Sequence, residues 1–274
     1  MYMTDAGSLQ TWAEGPIAYV QFNRPAARNA LNNEMMVAAI EAVATFNEDP
    51  NLLVIVLSGA GETFSAGFDL KASGERDLST VDKVRAQMTL QFDFITAFWT
   101  SRKPTIAMVQ GYCLAGAFEA SLACDLTIAA DNAMFGEPEV RFGTGAVAML
   151  FPWITGPKQA KEIMLTGADR IDATDALRMG LVNKVVPLAA LEQTTRQFAE
   201  RITRASSVSV QRSKEAINRA YDIMGMREAL AMGLDIDVEI NTTPSFEKSE
   251  FARIRKAAGL KAAIQWRDGR FETS

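Results

Sequence analysis

Glu119 has the setting that most demands a chemical explanation. It is the only charged side chain between Gly111 and Asp125, in the stretch Gly-Tyr-Cys-Leu-Ala-Gly-Ala-Phe-Glu-Ala-Ser-Leu-Ala-Cys-Asp. A carboxylate in so apolar a setting is paired, protonated or there to do chemistry. The sequence contains no histidine. That excludes His-ligated zinc, Ser-His-Asp triads and Cys-His pairs within one chain. Cys113 and Cys124 lack metal-ligand spacing, so any proton transfer falls to carboxylates, Tyr or Lys.

The elements around Glu119 suit that chemistry. Thr105–Val109 is apolar and β-branched, as a buried strand is. The chain then becomes small at Ala115-Gly116-Ala117 and continues as a helix through Ala123. A strand, a glycine-containing turn and a helix start leave backbone N–H groups free at a positive dipole end, which can receive a developing negative charge.

Upstream, Leu9–Ala13 and Ile17–Phe22 read as strands, and Asn23-Arg24-Pro25 ends the second. Asn32 or Asn33 caps a helix with Met35, Met36, Ala39, Ile40, Val43 and Phe46 on one face. The continuous apolar run Leu52–Leu57 predicts a parallel strand covered on both faces. Ser58 to Leu70 is a long glycine-rich turn whose Phe64, Phe68 and Leu70 must pack beside something. Val81–Thr100 is a helix with Val84, Met88, Phe92 or Gln91, Ile95 and Phe98 facing a core. Leu126–Ala130 and Met134–Gly136 read as strands, Pro157–Leu165 as a helix, and Asp169–Val182 as a turn and short helix leading to a strand that ends at Pro187. Leu188–Arg204 is helical. Strand signals vanish after Ser206, where two or more amphipathic helices follow, so the best internal boundary falls near residue 200.

Composition narrows the class. The 274 residues are 48% hydrophobic and 22% charged, with a net charge of −5. Those values fit a globular chain with a sizeable core, which the strand–strand–helix units of its first two hundred residues make α/β, and they argue against nucleic-acid binding. No apolar run approaches the roughly 18–20 residues of a membrane span, and the N-terminus lacks a signal-peptide pattern. With two cysteines in apolar surroundings, free buried thiols and a reducing, cytoplasmic location are expected.

Four motifs, in order, carry a resemblance: Asn23-Arg24-Pro25 with Asn29-Ala30-Leu31; Phe64-Ser65-Ala66-Gly67-Phe68-Asp69-Leu70; Gly111 to Asp125; and Ala176-Leu177-Arg178-Met179-Gly180-Leu181-Val182. From about Trp12 to Phe271 the chain resembles the crotonase superfamily of enoyl-CoA hydratases and isomerases. The resemblance implies a spiral of β-β-α turns over residues 1–200 that holds the active site. It implies a C-terminal helical region over 201–274 used for assembly into trimers, often paired into hexamers. The substrate implied is an acyl-CoA thioester, with coenzyme A part of the substrate and no separate cofactor or metal.

The resemblance also implies roles. The backbone N–H groups of Phe68 and Gly116 form an oxyanion hole for the thioester carbonyl. Glu119 and Glu139 are the catalytic acids; two nearby carboxylates oppose joint ionisation, so one takes a proton from water while the other delivers one to the α-carbon. Having both favours hydratase or dehydratase chemistry over isomerases, which commonly use only the second; the alternative is isomerase, or another CoA lyase or hydrolase, with Glu139 as main base. Coenzyme A contacts fall on Ala26 and Arg28, on Ala66, Asp69 and Leu70, and on Ala115; Pro138 and Val140 flank Glu139 in the pocket wall. An ion pair of the glutamates with Arg141 or a lysine is the competing structural reading. A CoA-binding protein without turnover is the competing non-enzymatic one.

The chain departs from its relatives in three places. Only the central glycine of a common triplet survives, as Gly116. A glycine-rich stretch that helps hold the water is replaced by the apolar Gly145-Ala146-Val147-Ala148-Met149-Leu150-Phe151-Pro152-Trp153. Trp266 stands where a lysine usually contacts the CoA phosphates of a neighbouring subunit, beside a retained Arg267.

Overall fold

The structure, a computed structural model, describes residues 3–5, 7–74 and 76–271; the outermost residues of the two expected regions lie outside them. Among the described residues, ten strands form two sheets. The larger orders β1 (Met3–Asp5), β2 (Leu9–Glu14), β3 (Ile17–Phe22), β4 (Val54–Gly59), β5 (Thr105–Val109), β7 (Leu126–Ala130) and β10 (Lys184–Val186) side by side. The first three are antiparallel and the rest join in parallel. The smaller sheet orders β6 (Tyr112–Leu114), β8 (Met134–Gly136) and β9 (Ile171–Asp172).

Side-chain alternation in the strands divides the interior in two. On one face of the large sheet, Ala18, Val20, Phe22, Ile55, Leu57, Ala107, Val109 and Ala129 join the main core. On the other, Ile17, Tyr19, Val54, Val56, Ile106, Ile128 and Ala130 form a second core. Helix α8 (Leu191–Thr203) covers this second face through Leu191 and Ala199. The expected strand buried on both sides is β4, each of whose six residues is buried. Each large aliphatic side chain so buried is worth about 1.5–3 kcal/mol.

On the main-core face lie α1 (Asn33–Glu48) and α3 (Val81–Thr100). Asn32 caps α1, accepting from the Met35 N–H at 2.9 Å. Met35, Met36, Ala39, Val43 and Phe46 are buried, with Ile40 at the rim. On α3 the buried member of the uncertain pair is Gln91, and Phe94 lies between Phe22 and Phe98 in an aromatic row.

The region after β8 is more ordered than sequence suggests. Glu139–Phe142 forms a 3-10 turn, followed by α5 (Phe151–Ile154) and α6 (Pro157–Thr166). After α7 (Ala173–Arg178) and β10, a short turn leads into α8. Three helices complete the chain: α9 (Ser207–Ile223), α10 (Met226–Thr242) and α11 (Phe246–Gly269), the last kinked at Gly259. Met226, Leu230 and Val238 of α10 enter the main core. Lys214 of α9 is buried against Asp125 at 2.7 Å, and its ammonium also donates to the carbonyl of Lys103 at 3.1 Å.

Candidate active site

The site begins with two loops that hold each other in place. Asn29 is fully buried; its amide donates to the carbonyls of Ala60 and Thr63, and its Oδ1 accepts from the Arg24 N–H. Arg24 bonds Asp69 at 2.8 Å and the Ala30 carbonyl at 2.6 Å. The Leu31 N–H donates to the Gly67 carbonyl and the Asp69 N–H to the Leu31 carbonyl. The first two sequence motifs are therefore one frame around Phe68. Parallel pairing of Leu31 with Phe68 turns the Phe68 N–H away from that partner.

The opposite wall is the entry to α4 (Gly116–Ala123). Ser65 pairs in parallel with Cys113, which draws the Gly67–Phe68 corner against Leu114–Gly116. A Cβ on Gly67 (φ +83°) would lie 2.5 Å from Ala115 Cβ and 2.7 Å from the Leu114 carbonyl oxygen. One on Gly116 would lie 2.1 Å from Phe68 Cζ. Glycine at both places is thus a packing requirement. Ala115 turns the chain into α4 with φ 57° and ψ −136°, a conformation an L side chain adopts only under constraint. Its N–H is held by the Gly136 carbonyl at 2.8 Å. Among the described residues, the Phe68 and Gly116 N–H groups have no protein acceptor.

Glu119 projects from the first turn of α4 into the interior with no exposure. Among the described residues it makes no ion pair. Its Oε1 accepts from the Val147 N–H at 3.2 Å and its Oε2 from the Ala148 N–H. The apolar segment replacing the glycine-rich stretch therefore closes over Glu119 and binds it through backbone. Arg141, the competing partner, is committed to Asp169 by two bonds of 2.8 Å.

Glu139 starts the 3-10 turn and is 6% exposed. Two acids that sequence reasoning passed over accompany it. Glu137, two residues earlier, is fully buried, and Asp237 reaches in from α10 with 1% exposure. Asp237 Oδ1 accepts from the Gly145 N–H at 3.2 Å and from the Asn241 amide at 2.9 Å. Among the described residues, no backbone, hydroxyl, amide or cationic donor reaches either Glu137 oxygen, Glu139 Oε2 or Asp237 Oδ2. The sequence does carry a signal for Asp237, which shares the helical face of Leu230, Leu234 and Asn241. Glu137 carries a weaker one, an acid directly after the short strand Met134–Gly136.

Removal from water dominates the electrostatics and pushes all four acids toward their neutral forms. Glu119 and Glu137 are raised well above the usual carboxylate range, by burial and then by neighbouring carboxylates, with the Val147 and Ala148 N–H groups opposing at Glu119. Glu139 is raised to about 7 by burial, against hydrogen bonding from Glu137 and the charge of Arg267. Asp237 is raised to about 7, again by burial, opposed by the Gly145 N–H and reinforced by Glu139. Among the described residues these acids form no group able to hold a metal ion.

The positions expected to meet coenzyme A fall into two sets. Ala26 and Arg28 lie exposed on the loop after β3, Arg28 in the left-handed region at φ 51°. Ala66 and Asp69 use their N–H groups within the frame, and Leu70 starts the short α2 (Leu70–Ser73). The Asp69 side chain is structural: it caps α2 through the Lys71 and Ala72 N–H groups and pairs with Arg24. Pro138 is buried and Val140 is 37% exposed on either side of Glu139. Arg267 bonds Asp268 and lies over the Phe142 ring at 5.5 Å. A cleft of about 1030 Å³ lies elsewhere, between the ends of α1 and α3 and helix α9. Phe92, Trp99, Lys103 and Lys214 line it, and none of the four acids does.

A mixed α/β spiral with a parallel sheet, C-terminal helices and acids gathered at a glycine-led helix defines a class, that of the crotonase-fold enoyl-CoA hydratases and isomerases. The chain belongs to the enoyl-CoA hydratase/isomerase family, which it matches over residues 13–257. It is 37% identical over 256 residues to a short-chain-enoyl-CoA hydratase of Clostridium acetobutylicum, covering 92% of this chain and 90% of that protein. It is 36% identical over 226 residues to a carnitinyl-CoA dehydratase of Citrobacter koseri, covering 81% and 84%. A crystal structure of an enoyl-CoA hydratase/isomerase from Xanthobacter autotrophicus superposes with a TM-score of 0.95 at 42% identity, covering 97% of this chain and 99% of that one.

Proposed function

We propose that this protein adds water across, or eliminates it from, the 2,3 double bond of an acyl-CoA thioester. The observation that carries the reading is the gathering of Glu119 and Glu139 in one buried cluster, Glu119 on the helix whose first residue, Gly116, packs against Phe68. The N–H groups of Phe68 and Gly116 polarise the thioester carbonyl and receive the charge of the enolate, a contribution worth about 3–4 kcal/mol per donor in the transition state. Of the two acids, one in its ionised form takes a proton from water. The other, neutral, gives a proton to the α-carbon. The raised proton affinity of both makes a neutral acid available near pH 7. Ala26, Arg28, Ala66, Asp69, Leu70, Ala115, Pro138 and Val140 surround the thioester and its coenzyme A. Coenzyme A belongs to the substrate, and the scheme uses no further cofactor.

One observation favours a second reading. Both Glu119 oxygens are engaged by backbone N–H groups and the side chain has no exposure, whereas Glu139 keeps an unpartnered oxygen. Glu139 acting alone would shift a proton between two carbons, which is isomerisation. Crotonyl-CoA separates the two: hydration removes its conjugated-enoyl absorbance. No absorbance loss with crotonyl-CoA, together with double-bond migration in a 3-enoyl-CoA, would replace the first reading by the second.

A homotrimer, alone or paired into a hexamer, completes the proposal. It is supported by exposed apolar side chains on the C-terminal helices, among them Ile217, Ile223, Met224, Met232 and Ile236.

A further inference from the structure

We propose that Glu137 is a positioning residue of this site: a protonated carboxyl that donates to Glu139, so that the two side chains work as one proton-sharing pair. The proposal deepens the reading above and rests on it for the role of Glu139.

Four observations carry it. Glu137 is fully buried, and among the described residues no backbone, hydroxyl, amide or cationic donor reaches either of its side-chain oxygens. Its backbone N–H donates to the Ala168 carbonyl at 2.6 Å, which fixes the residue in the wall rather than in a mobile loop. Between the two glutamates stands Pro138, whose nitrogen carries no hydrogen to compete for either carboxyl. The basic residue of the same turn, Arg141, is spent on Asp169. A carboxyl so placed has no cation to keep it ionised and keeps its proton. Its neutral form has one O–H donor, and the Glu139 carboxyl, two residues on, lies within hydrogen-bonding reach of it.

Groups from every packed element agree with this distribution. Glu119 of α4 and Asp237 of α10, whenever either is ionised, oppose loss of the Glu137 proton. Arg267 of α11 is the positive group felt by Glu139, and Lys248 lies beside Asp237. Glu137 therefore retains the proton and Glu139 exchanges one. When Glu139 gives its proton to the α-carbon, the carboxylate left behind accepts the Glu137 O–H. When Glu139 takes a proton back, that bond weakens and no charge is stranded.

The test follows the Glu139 carboxyl by ¹³C NMR in protein labelled at glutamate, with Glu139→Gln assigning the resonance. The wild type should show coupled titration steps shared by the pair, and Glu137→Gln, which keeps a donor that cannot ionise, should lose the step due to Glu137. Glu137→Leu, which removes the donor, should move the Glu139 midpoint up by about one pH unit, and the Gln variant should restore most of that shift. The base-dependent limb of the kcat/KM profile should move with the midpoint. An unchanged midpoint in Glu137→Leu, or equal shifts in both variants, overturns the pairing. Should Glu137→Leu not fold, the Gln variant decides alone, since an unaltered titration in it overturns the pairing. If the protein does not hydrate crotonyl-CoA, the functional reading fails while the NMR titration still reports on the pair.

Discussion

Each acid in this site is defined by what it lacks. Glu119 lacks a cation and is held by two N–H groups; Glu139 lacks a partner on Oε2; Asp237 lacks one on Oδ2. Glu119→Gln should lower the hydration rate by about 10²–10⁴-fold while leaving part of any isomerisation, and Glu139→Gln should remove both, read with crotonyl-CoA and a 3-enoyl-CoA. Asp237 permits a stability test. Its proton affinity in the fold is raised to about 7 from the usual 3.8, first by burial. Its contribution is therefore full below 3.8 and is lost as pH climbs to about 7. Asp237→Asn mimics the neutral acid and still accepts from Gly145. Its stabilising effect should be larger at pH 8 than at pH 5 by on the order of 2–3 kcal/mol in denaturant unfolding. An equal effect at both pH values would mean that Asp237 is ionised in the fold.

At the scale of elements, the site is a corner built from a loop and a helix start, and its tolerances are steric. Gly116→Ala places a methyl group inside the Phe68 ring. It should cost about 1–3 kcal/mol of stability, with a loss of activity as the Phe68 backbone shifts. Adding Phe68→Ala should recover much of that stability, a coupling read from the double-mutant cycle. Ala115→Gly should have the opposite sign, because the backbone there already suits glycine: a gain of about 1 kcal/mol in thermal or denaturant unfolding. The sequence reveals the glycine-led turn and the helix after it. It does not reveal that Gly145–Trp153 would fold back over Glu119, because apolar composition predicts burial but not the partner its backbone N–H groups will meet.

Across the whole molecule, the C-terminal helices belong to the site as well as to the surface. Asp237 enters the acid cluster, Arg267 lies over the Glu139 turn, and Lys214 fastens α9 to Asp125 beside β5. Lys214→Met should destabilise the chain by about 3 kcal/mol, since it leaves Asp125 without its buried cation while the Thr105 bonds persist. Light scattering on the purified protein should give the mass of three or six chains. A monomer at micromolar concentration would remove the proposed role of the exposed apolar helix faces.

Local pattern determined much of this protein. The run Leu52–Leu57 had to hold a strand covered on both sides, because a continuous apolar segment has no solvent face. Asn32 or Asn33 had to cap α1, and Glu119 had to be paired, protonated or there to do chemistry. The four ordered motifs were enough to identify the family, whose Pro-Glu pair in turn pointed to Glu139. Tertiary structure alone decided that Glu137 and Asp237 join them. One sits behind Pro138 and the other more than a hundred residues from Glu119, and only packing brings such distant carboxyls into one dry space where each alters the proton affinity of the rest.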